Sequence, residues 1–245
     1  TIEELQNIRK NLNGNIGFVP TMGALHDGHI SLIRKAKDEN EVVIVSIFVN
    51  PTQFLKGEDL NKYPRKEEAD IKICQMCKVD YLFMPQINSM YEKDEVLIKA
   101  PINSYVLEGY TRPGHFDGVL QVVLKLFNLT LPKNAYFGKK DAQQLALIQQ
   151  MVKNLFLPIN IIACDIVRES SGLALSSRNV YLTPEQKEEA IKSSKSSYMA
   201  GKLIAKGERD SKIVKDKIYE SLENLDVEYV RVVNKRFDEI EKIEP

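Results

Sequence analysis

The sequence predicts an α/β protein: a Rossmann-like parallel sheet with flanking helices, followed by a small α+β C-terminal domain. The run from Val42 to Val49, VVIVSIFV, is continuously apolar and rich in β-branched residues, as expected of a central parallel strand covered on both faces. Segments with helical spacing alternate with such runs, and from Thr183 onward the chain changes to charged helices. We therefore expect a first domain at residues 1–168 and a second at 169–245.

The elements are predicted in order from these patterns. Helices are expected at Ile2–Leu12, Gly28–Asp38, Lys66–Lys78, from Gly118 to Pro132, from Ala142 onward, and at Glu185–Lys206 and Ser211–Leu225. Strands are expected at Ile16–Val19, Val42–Val49, Tyr81–Met84, Val96–Lys99, Ala135–Gly138, Ile159–Val167 and Val227–Val233. The first domain thus reads as strand and helix in alternation.

Composition narrows the class of protein. Among 245 residues, 34 basic and 34 acidic side chains balance to zero net charge, so no overall field attracts nucleic acid. No apolar run approaches the roughly 20 residues that span a bilayer, and TIEELQNIRK lacks the core of a signal peptide. We expect a cytoplasmic enzyme with no nucleic-acid or membrane partner.

Pro20 to His29, PTMGALHDGH, is the most informative stretch. Gly23 suits a tight turn, and His26 and His29 lie near the start of the helix that follows, on one face. Unpaired backbone N–H groups and the helix dipole favour an anion there, with the imidazoles as further donors. The alternative is that both histidines only cap or pack against the helix. The third histidine, His115, lies in the turn RPGHF.

The end of the apolar run at Val49 leads into Asn50–Gln53, at the edge where parallel sheets bind ligands. The amide of Gln53 suits a small hydroxy acid, because it both donates and accepts hydrogen bonds; an ordinary loop residue is the alternative. Glu58 and Asp59 are read as a solvated acidic loop, with a Mg²⁺ site as the alternative. Arg112 is either structural or paired with a phosphate or carboxylate.

The cysteines Cys74, Cys77 and Cys164 include a CxxC. A zinc site needs two further ligands at suitable spacing, and a redox pair is expected at the start of a helix, whereas this pair lies late in one. We interpret all three as reduced thiols.

Five segments occur in one order between residues 16 and 182: PTMGALHDGH, FVNPTQF, EGYTRPGHFDGV, FGKKDAQQL and GLALSSRNVYL. Together they resemble the pantothenate synthetase (pantoate–beta-alanine ligase) family of the HIGH-motif nucleotidyltransferases. The resemblance implies that pantoate and ATP give pantoyl adenylate and pyrophosphate, and that beta-alanine then gives pantothenate and AMP. It also implies Mg²⁺ with the ATP, and a homodimer.

The resemblance assigns roles to residues. It implies catalytic roles for His26, His29, Lys140 and Arg178. The ATP-binding set that it implies is Met22, Gly23, Ala24, Leu25, His26, Asp27, Gly28, His29, Gly138, Lys139, Lys140, Asp141, Val167, Leu175, Ser176, Ser177 and Arg178. The substrate-binding set is Pro20, Thr21, Asn50, Gln53 and Gln144. No protein ligand to a metal is assigned.

Some positions depart from the family pattern. Leu175 stands where the family often has Met, and Ser171, to which we assign no role, stands where Asp is usual. Family members normally continue to an Arg-Leu-Ile-Asp segment, so we expect a second domain shorter than the family norm. LSSR at 175–178 resembles a mobile anion-binding segment and is expected to act as a lid with that domain.

Two alternatives to this family stay open at this stage. One is another HIGH-motif adenylyltransferase acting on nicotinamide mononucleotide or phosphopantetheine, although neither accounts for FVNPTQF together with RPGHF and KDAQQ. The other is an inactive ATP-binding homologue. The sequence contains no GxxxxGK[ST], GxGxxG or GxSxG motif, which argues against P-loop, dinucleotide-binding and serine-hydrolase functions.

Overall fold

A computed structural model describes residues 1–244. Contacts between Cα atoms divide the chain into two compact units, one spanning Thr1–Val167 and one beginning at Arg168. The strands are β1 (Ile16–Thr21), β2 (Val42–Ile47), β3 (Tyr81–Phe83), β4 (Asn134–Gly138) and β5 (Asn160–Cys164). The helices are α1 (Ile2–Lys10), α2 (Asp27–Glu39), α3 (Glu67–Met76), α4 (Ile87–Met90), α5 (Glu108–Thr111), α6 (His115–Thr130), α7 (Ala142–Asn154), α8 (Pro184–Ala205) and α9 (Ser211–Ser221).

All five strands are parallel and lie in the order β3-β2-β1-β4-β5, which confirms the predicted α/β fold. In the register, Ile16 lies beside Val42 and Gly17 beside Asn134. The chain builds outward from β1 to β3 and then returns to add β4 and β5 on the other side of β1. The carboxyl ends of β1 and β4 therefore flank the switch point, where open α/β sheets bind their ligands.

Successive side chains of a strand point to opposite faces of the sheet, and in this sheet both faces are apolar. Phe18 and Ile44 belong to one buried cluster, together with residues of α6 and α7. Val19, Val43 and Val45 belong to the other, together with residues of α2 and α3. This double burial explains why the second strand reads as a continuous apolar run.

Two predicted short strands are wrong. Residues 96–99 form no strand, because their neighbourhood bonds to side chains of α6: Ile98 N donates to Gln121 Oε1 at 2.8 Å and Ala100 N to Asp117 Oδ1 at 2.7 Å. Residues 227–233 form none either; Val233 makes only an isolated bridge with Glu239. A short apolar run or alternation does not make a strand unless a neighbouring strand pairs with it.

Several other predicted elements end earlier than expected. The second strand ends at Ile47 and the fifth at Cys164, well before Val167. The fifth is shorter because its neighbour β4 stops at Gly138, and the bond from Lys139 N to Cys164 O, 2.8 Å long, lies at the end of their ladder. Strand length is thus set by the partner strand.

The unit from Arg168 onward contains α8 and α9, which pack together. Thr183 caps α8 through a reciprocal bond pair with Gln186, and Pro184 occupies the first helical turn, as its sequence predicts. Asp210 caps α9 by accepting from two backbone N–H groups. Within residues 1–244, no helix has both the length and the apolar character needed to cross a membrane.

Candidate active site

The loop after β1 turns sharply into α2. Gly23 has φ +83° and Ala24 has φ +49°, so two successive residues adopt the left-handed region, as the tight-turn prediction for Gly23 requires. Thr21 is buried; its hydroxyl donates to Ser46 O at 2.8 Å and accepts from Gly23 N at 3.2 Å. The side chain of Thr21 therefore holds the turn onto β2.

His26 and His29 cap the start of α2 reciprocally. The Nδ1 atom of His26 accepts from Gly28 N at 3.1 Å, and Nδ1 of His29 accepts from His26 N at 3.3 Å. A nitrogen that accepts from a backbone N–H carries no proton, so each neutral ring is protonated at Nε2. The two rings lie 4.1 Å apart. Both Nε2–H groups are therefore on the ring sides opposite the helix backbone.

The environment keeps these imidazoles neutral. Burial, the nearby His26 and the Lys140 ammonium lower the pKa of His29 to about 3. Burial and then the Lys140 ammonium also lower the pKa of His26. Since each cation disfavours a second positive charge nearby, the pair donates hydrogen bonds as neutral rings while Lys140 supplies the charge.

Asp70 on α3 fixes the backbone just before the histidines, a role that no sequence motif indicated. The side chain is only 2% exposed; Oδ2 accepts from Ala24 N at 2.8 Å and Oδ1 from Leu25 N at 2.7 Å. One feature of the sequence could have indicated this role. Asp70 has helical spacing with Cys74 and Cys77, which places its carboxylate on a buried face of the helix. A buried carboxylate needs such donors.

The prediction of unpaired backbone donors in this loop is wrong for four groups. The N–H groups of Ala24, Leu25, His26 and Gly28 each donate to a side chain of the protein. An anion at this point would meet the imidazole Nε2–H groups in place of those amides.

The loop after β4 carries the predicted Lys139–Asp141 segment. Lys139 pairs with Asp165 at 2.6 Å, and Lys140 lies 3.4 Å from Asp141. Both pairs are exposed and therefore weak, so the ammonium groups can turn toward a phosphate at small energetic cost. Asp141 precedes the first residue of α7, whose first turn carries the half-buried Gln144.

The loop after β2 brings Gln53 to the first loop. Asn50, 1% exposed, donates from Nδ2 to Gln53 Oε1 at 3.1 Å, and Gln53 Nε2 lies 3.1 Å from Met22 Sδ. Tyr91 donates to Asn50 Oδ1 at 2.7 Å. Segments predicted separately as ATP-binding and substrate-binding are therefore neighbours here.

The interpretation of Glu58 as part of a solvated loop is wrong. Its carboxylate accepts from Arg112 Nε at 2.6 Å and Nη2 at 2.7 Å, with both side chains largely covered. This bidentate pair is the reason that the pKa of Glu58 lies below its ordinary value. Arg112 is thus held by a protein carboxylate, and His115 is the first residue of α6 rather than a residue before it.

Of the other predicted residues, four lie in the first unit and four in the second. Pro20 belongs to β1, and Gly138 is the last residue of β4. Val167 and Asp27 line one cleft along α2. In the second unit, Ser176 caps a 3₁₀ turn, Ser177–Tyr181, by accepting from Arg178 N at 3.3 Å, directly after Leu175.

The cysteines and the potential metal ligands form no assembled site within the described residues. Cys74, Cys77 and Cys164 are unbridged thiols, and burial raises the pKa of Cys74 to about 11. Within residues 1–244, no three His, Cys, Asp or Glu side chains come together as candidate metal ligands.

Comparison with known proteins decides the family. The Pantoate-beta-alanine ligase family model matches residues 1–244. The chain belongs to the pantoate-beta-alanine ligase family. It is 74% identical over 245 residues to the pantothenate synthetase of Aliarcobacter butzleri, covering 100% of this chain and 90% of that protein.

Solved structures of family members agree with this fold. The pantothenate synthetase of Thermus thermophilus superposes with a TM-score of 0.94 at 37% identity, over 100% of this chain and 90% of that one. The pantoate-beta-alanine ligase of Francisella tularensis, solved with beta-gamma ATP and beta-alanine, gives a TM-score of 0.78 at 45% identity, over 90% and 84% of the two chains. The chain is thus a pantoate-beta-alanine ligase by family, with a ligand-bound relative.

Proposed function

We propose that the protein joins pantoate and beta-alanine at the expense of ATP, through a pantoyl-adenylate intermediate, releasing pyrophosphate and AMP. The observation that carries the proposal is the neutral pair His26 and His29, protonated at Nε2 beside Lys140 at the switch point of the sheet. Two hydrogen-bond donors and one cation suit a phosphate anion, and the triphosphate of ATP is such an anion.

In the first step a carboxylate oxygen of pantoate attacks the α-phosphorus, and the bond to pyrophosphate breaks. The nucleophile is already ionised at neutral pH, so no general base is needed. The protein must instead stabilise the charge that grows on the departing pyrophosphate. His26, His29 and Lys140 supply that stabilisation in this proposal, while Gln53 and Gln144 hold pantoate.

In the second step the neutral amine of beta-alanine attacks the acyl carbon. The bond from the acyl carbon to the AMP oxygen breaks, an amide forms, and the amine gives one proton to solvent. Ser176, Ser177 and Arg178 are proposed to bind phosphate on the basis of their side-chain chemistry and the family resemblance. Water must be excluded from the adenylate, a role that we assign to the segment that they belong to.

Mg²⁺ is proposed as the companion of ATP. It prefers oxygen ligands and usually takes many of them from phosphate groups, so the nucleotide itself would supply most of the coordination. Bound Mg²⁺ would neutralise phosphate charge, which complements the donors contributed by the histidines.

Isotope transfer tests the intermediate directly. Pantoate labelled with ¹⁸O in its carboxylate should deliver one labelled oxygen to AMP, because that oxygen bridges carbon and phosphorus in the adenylate. Pyrophosphate should appear with ATP and pantoate alone, and AMP should be released over many turnovers only when beta-alanine is added. Unlabelled AMP would rule out the adenylate. Absence of any turnover despite ATP binding would favour an inactive homologue.

A further inference from the structure

We propose that Glu58, Arg112 and His115 are positioning residues: they hold the backbone of Gln53 so that its side chain faces pantoate, and they do not bind substrate themselves. This inference rests on the proposed function, in which Gln53 binds pantoate. The inference gives a role to the RPGHF turn, to which the proposed reaction mechanism assigns none.

Two side chains converge on one backbone oxygen. The carbonyl of Gln53 lies 2.7 Å from His115 Nδ1 and 3.4 Å from Arg112 Nη2. A carbonyl oxygen can only accept, so His115 carries its proton on Nδ1, and its Nε2 accepts from Arg112 Nη1 at 3.2 Å. This arrangement is the opposite of that in His26 and His29. His115 is 6% exposed and both of its ring nitrogens are hydrogen-bonded, which restricts the orientation of the ring.

Glu58 completes a closed clamp around the loop. It binds Arg112 through both carboxylate oxygens, and its Oε2 also accepts from Leu55 N at 3.1 Å. Glu58 and Arg112 therefore hold both ends of the short segment that runs from Gln53 to Glu58. Bidentate pairs of this kind restrict orientation as well as distance.

The donor inventory of Arg112 distinguishes positioning from substrate binding. A guanidinium has five N–H groups. Nε and one Nη2 hydrogen serve Glu58, the other Nη2 hydrogen serves Gln53 O, and the two on Nη1 serve Glu108 and His115. All five are committed to protein atoms, so binding a substrate would require breaking the clamp.

The same loop is also pressed against α6. A Cβ placed on Gly118 would lie 2.3 Å from Thr52 O and 2.7 Å from Gln53 N, so only glycine permits this approach. Asn50 Nδ2 bonds Gly118 O at 3.1 Å and Gln53 Oε1 at 3.1 Å. The first turn of α6 therefore helps to hold both the backbone and the side chain of Gln53 in place.

Steady-state kinetics with ATP and pantoate varied separately test the inference. His115→Leu removes both ring bonds, and a misplaced Gln53 should lower kcat/KM for pantoate roughly 10- to 100-fold, as displacements of about 1 Å do. KM for ATP should stay within about twofold, because neither of the bonds that His115→Leu removes is made to residues 21–29. His115→Asn, whose amide N–H can replace Nδ1–H, should recover most of the loss.

Glu58→Gln is the second test variant, in case the buried leucine prevents folding. It should act in the same direction as His115→Leu. Glu108→Gln is the matched control: Glu108 also contacts Arg112, at 3.3 Å, but it has no bond to the Gln53 loop and is 40% exposed. Its kcat/KM for pantoate should remain within about twofold of the wild-type value.

A double-mutant cycle separates this inference from the proposed function. If His115 acts through Gln53, His115→Leu should have little further effect on kcat/KM for pantoate in a Gln53→Ala background. Additive losses would overturn the positioning role, and so would a normal His115→Leu enzyme alongside an impaired Gln53→Ala enzyme. Wild-type protein that fails to release pyrophosphate with pantoate and ATP would instead overturn the proposed function, and the inference with it.

Discussion

The protons of the three histidines are placed by backbone groups. His26 and His29 accept amide hydrogens at Nδ1, whereas His115 donates from Nδ1 to a carbonyl. The sequence identifies the two motifs that contain these residues, but not which ring nitrogen carries the proton, because that depends on the backbone atom opposite each ring. The chemistry of the candidate site therefore depends on loop geometry as much as on residue identity.

The depressed pKa of His29 predicts an unusual titration. Since its folded pKa is about 3, its imidazole NMR signals should not shift between pH 8 and about 5. In the unfolded chain the same ring binds a proton near pH 6.5. The stability associated with the neutral ring is thus fully present above pH 6.5 and is lost as the pH falls toward about 3.

Urea unfolding at pH 7 and pH 5 measures this loss, and His29→Gln should reduce the difference. An imidazole signal of His29 that titrates with a midpoint near 6.5 would contradict the assignment.

Asp70→Asn tests the support of the histidine loop. The amide would turn a donor toward Ala24 N–H or Leu25 N–H, which leaves a buried donor unsatisfied at a cost of about 1–3 kcal/mol in the free energy of unfolding. Because the loop carries His26, adenylate formation should also slow, by roughly 10-fold or more. Chemical denaturation and single-turnover kinetics measure the two effects.

Asp80→Asn is the control for Asp70. Asp80 also accepts a backbone N–H, from Val43 at 2.7 Å, but at the amino end of β2, the sheet edge opposite the site. The Asp80→Asn variant should lose stability but keep the wild-type rate of adenylate formation. Equal kinetic losses in both variants would show that Asp70 matters only for stability.

Loops at the carboxyl ends of strands are held by helices that follow much later in the chain. Gly118 on α6 makes the closest of these approaches to the loop that carries Gln53. Gly118→Ala should destabilise the fold by about 1–3 kcal/mol, because the new methyl group meets backbone rather than a movable side chain. It should also lower kcat/KM for pantoate.

Gly201→Ala is the matched substitution within a helix. Gly201 lies in α8 and an added Cβ there meets nothing within 4 Å. That variant should gain about 0.5–1 kcal/mol in stability through helix propensity. Thermal unfolding of both variants, together with kinetics of Gly118→Ala, checks the prediction; an unimpaired Gly118→Ala enzyme would contradict the close packing.

Elements were predictable where the pattern was long and burial was double-sided. The run at 42–49 and the helical stripe through Val119, Val122 and Leu126 identified β2 and α6 because several turns or residues repeat one physical signal. The strand predictions at 96–99 and 227–233 failed because an apolar run or alternation of only four to seven residues forms a strand only beside a partner. Such partners are set by tertiary structure.

The order of the strands brings residues that are far apart in the sequence to one edge of the sheet. Motif positions predicted that His26, Gln53 and Lys140 follow three different strands, and the sheet order explains how their loops become neighbours. The supporting contacts were not predictable, since Asp70 with Leu25 and Glu58 with Arg112 join segments that share no local pattern.

Single-turnover pyrophosphate release by His29→Ala, with ATP, Mg²⁺ and pantoate, is the most direct test of whether the neutral His29 ring stabilises the departing pyrophosphate. Removing a preorganised donor to the developing charge should slow this step by about 10² to 10³. The fold should remain intact by circular dichroism, and His29→Gln, whose amide can stand in for Nε2–H, should recover part of the rate. A His29→Ala enzyme that releases pyrophosphate at nearly the wild-type rate would show that His29 does not stabilise this charge.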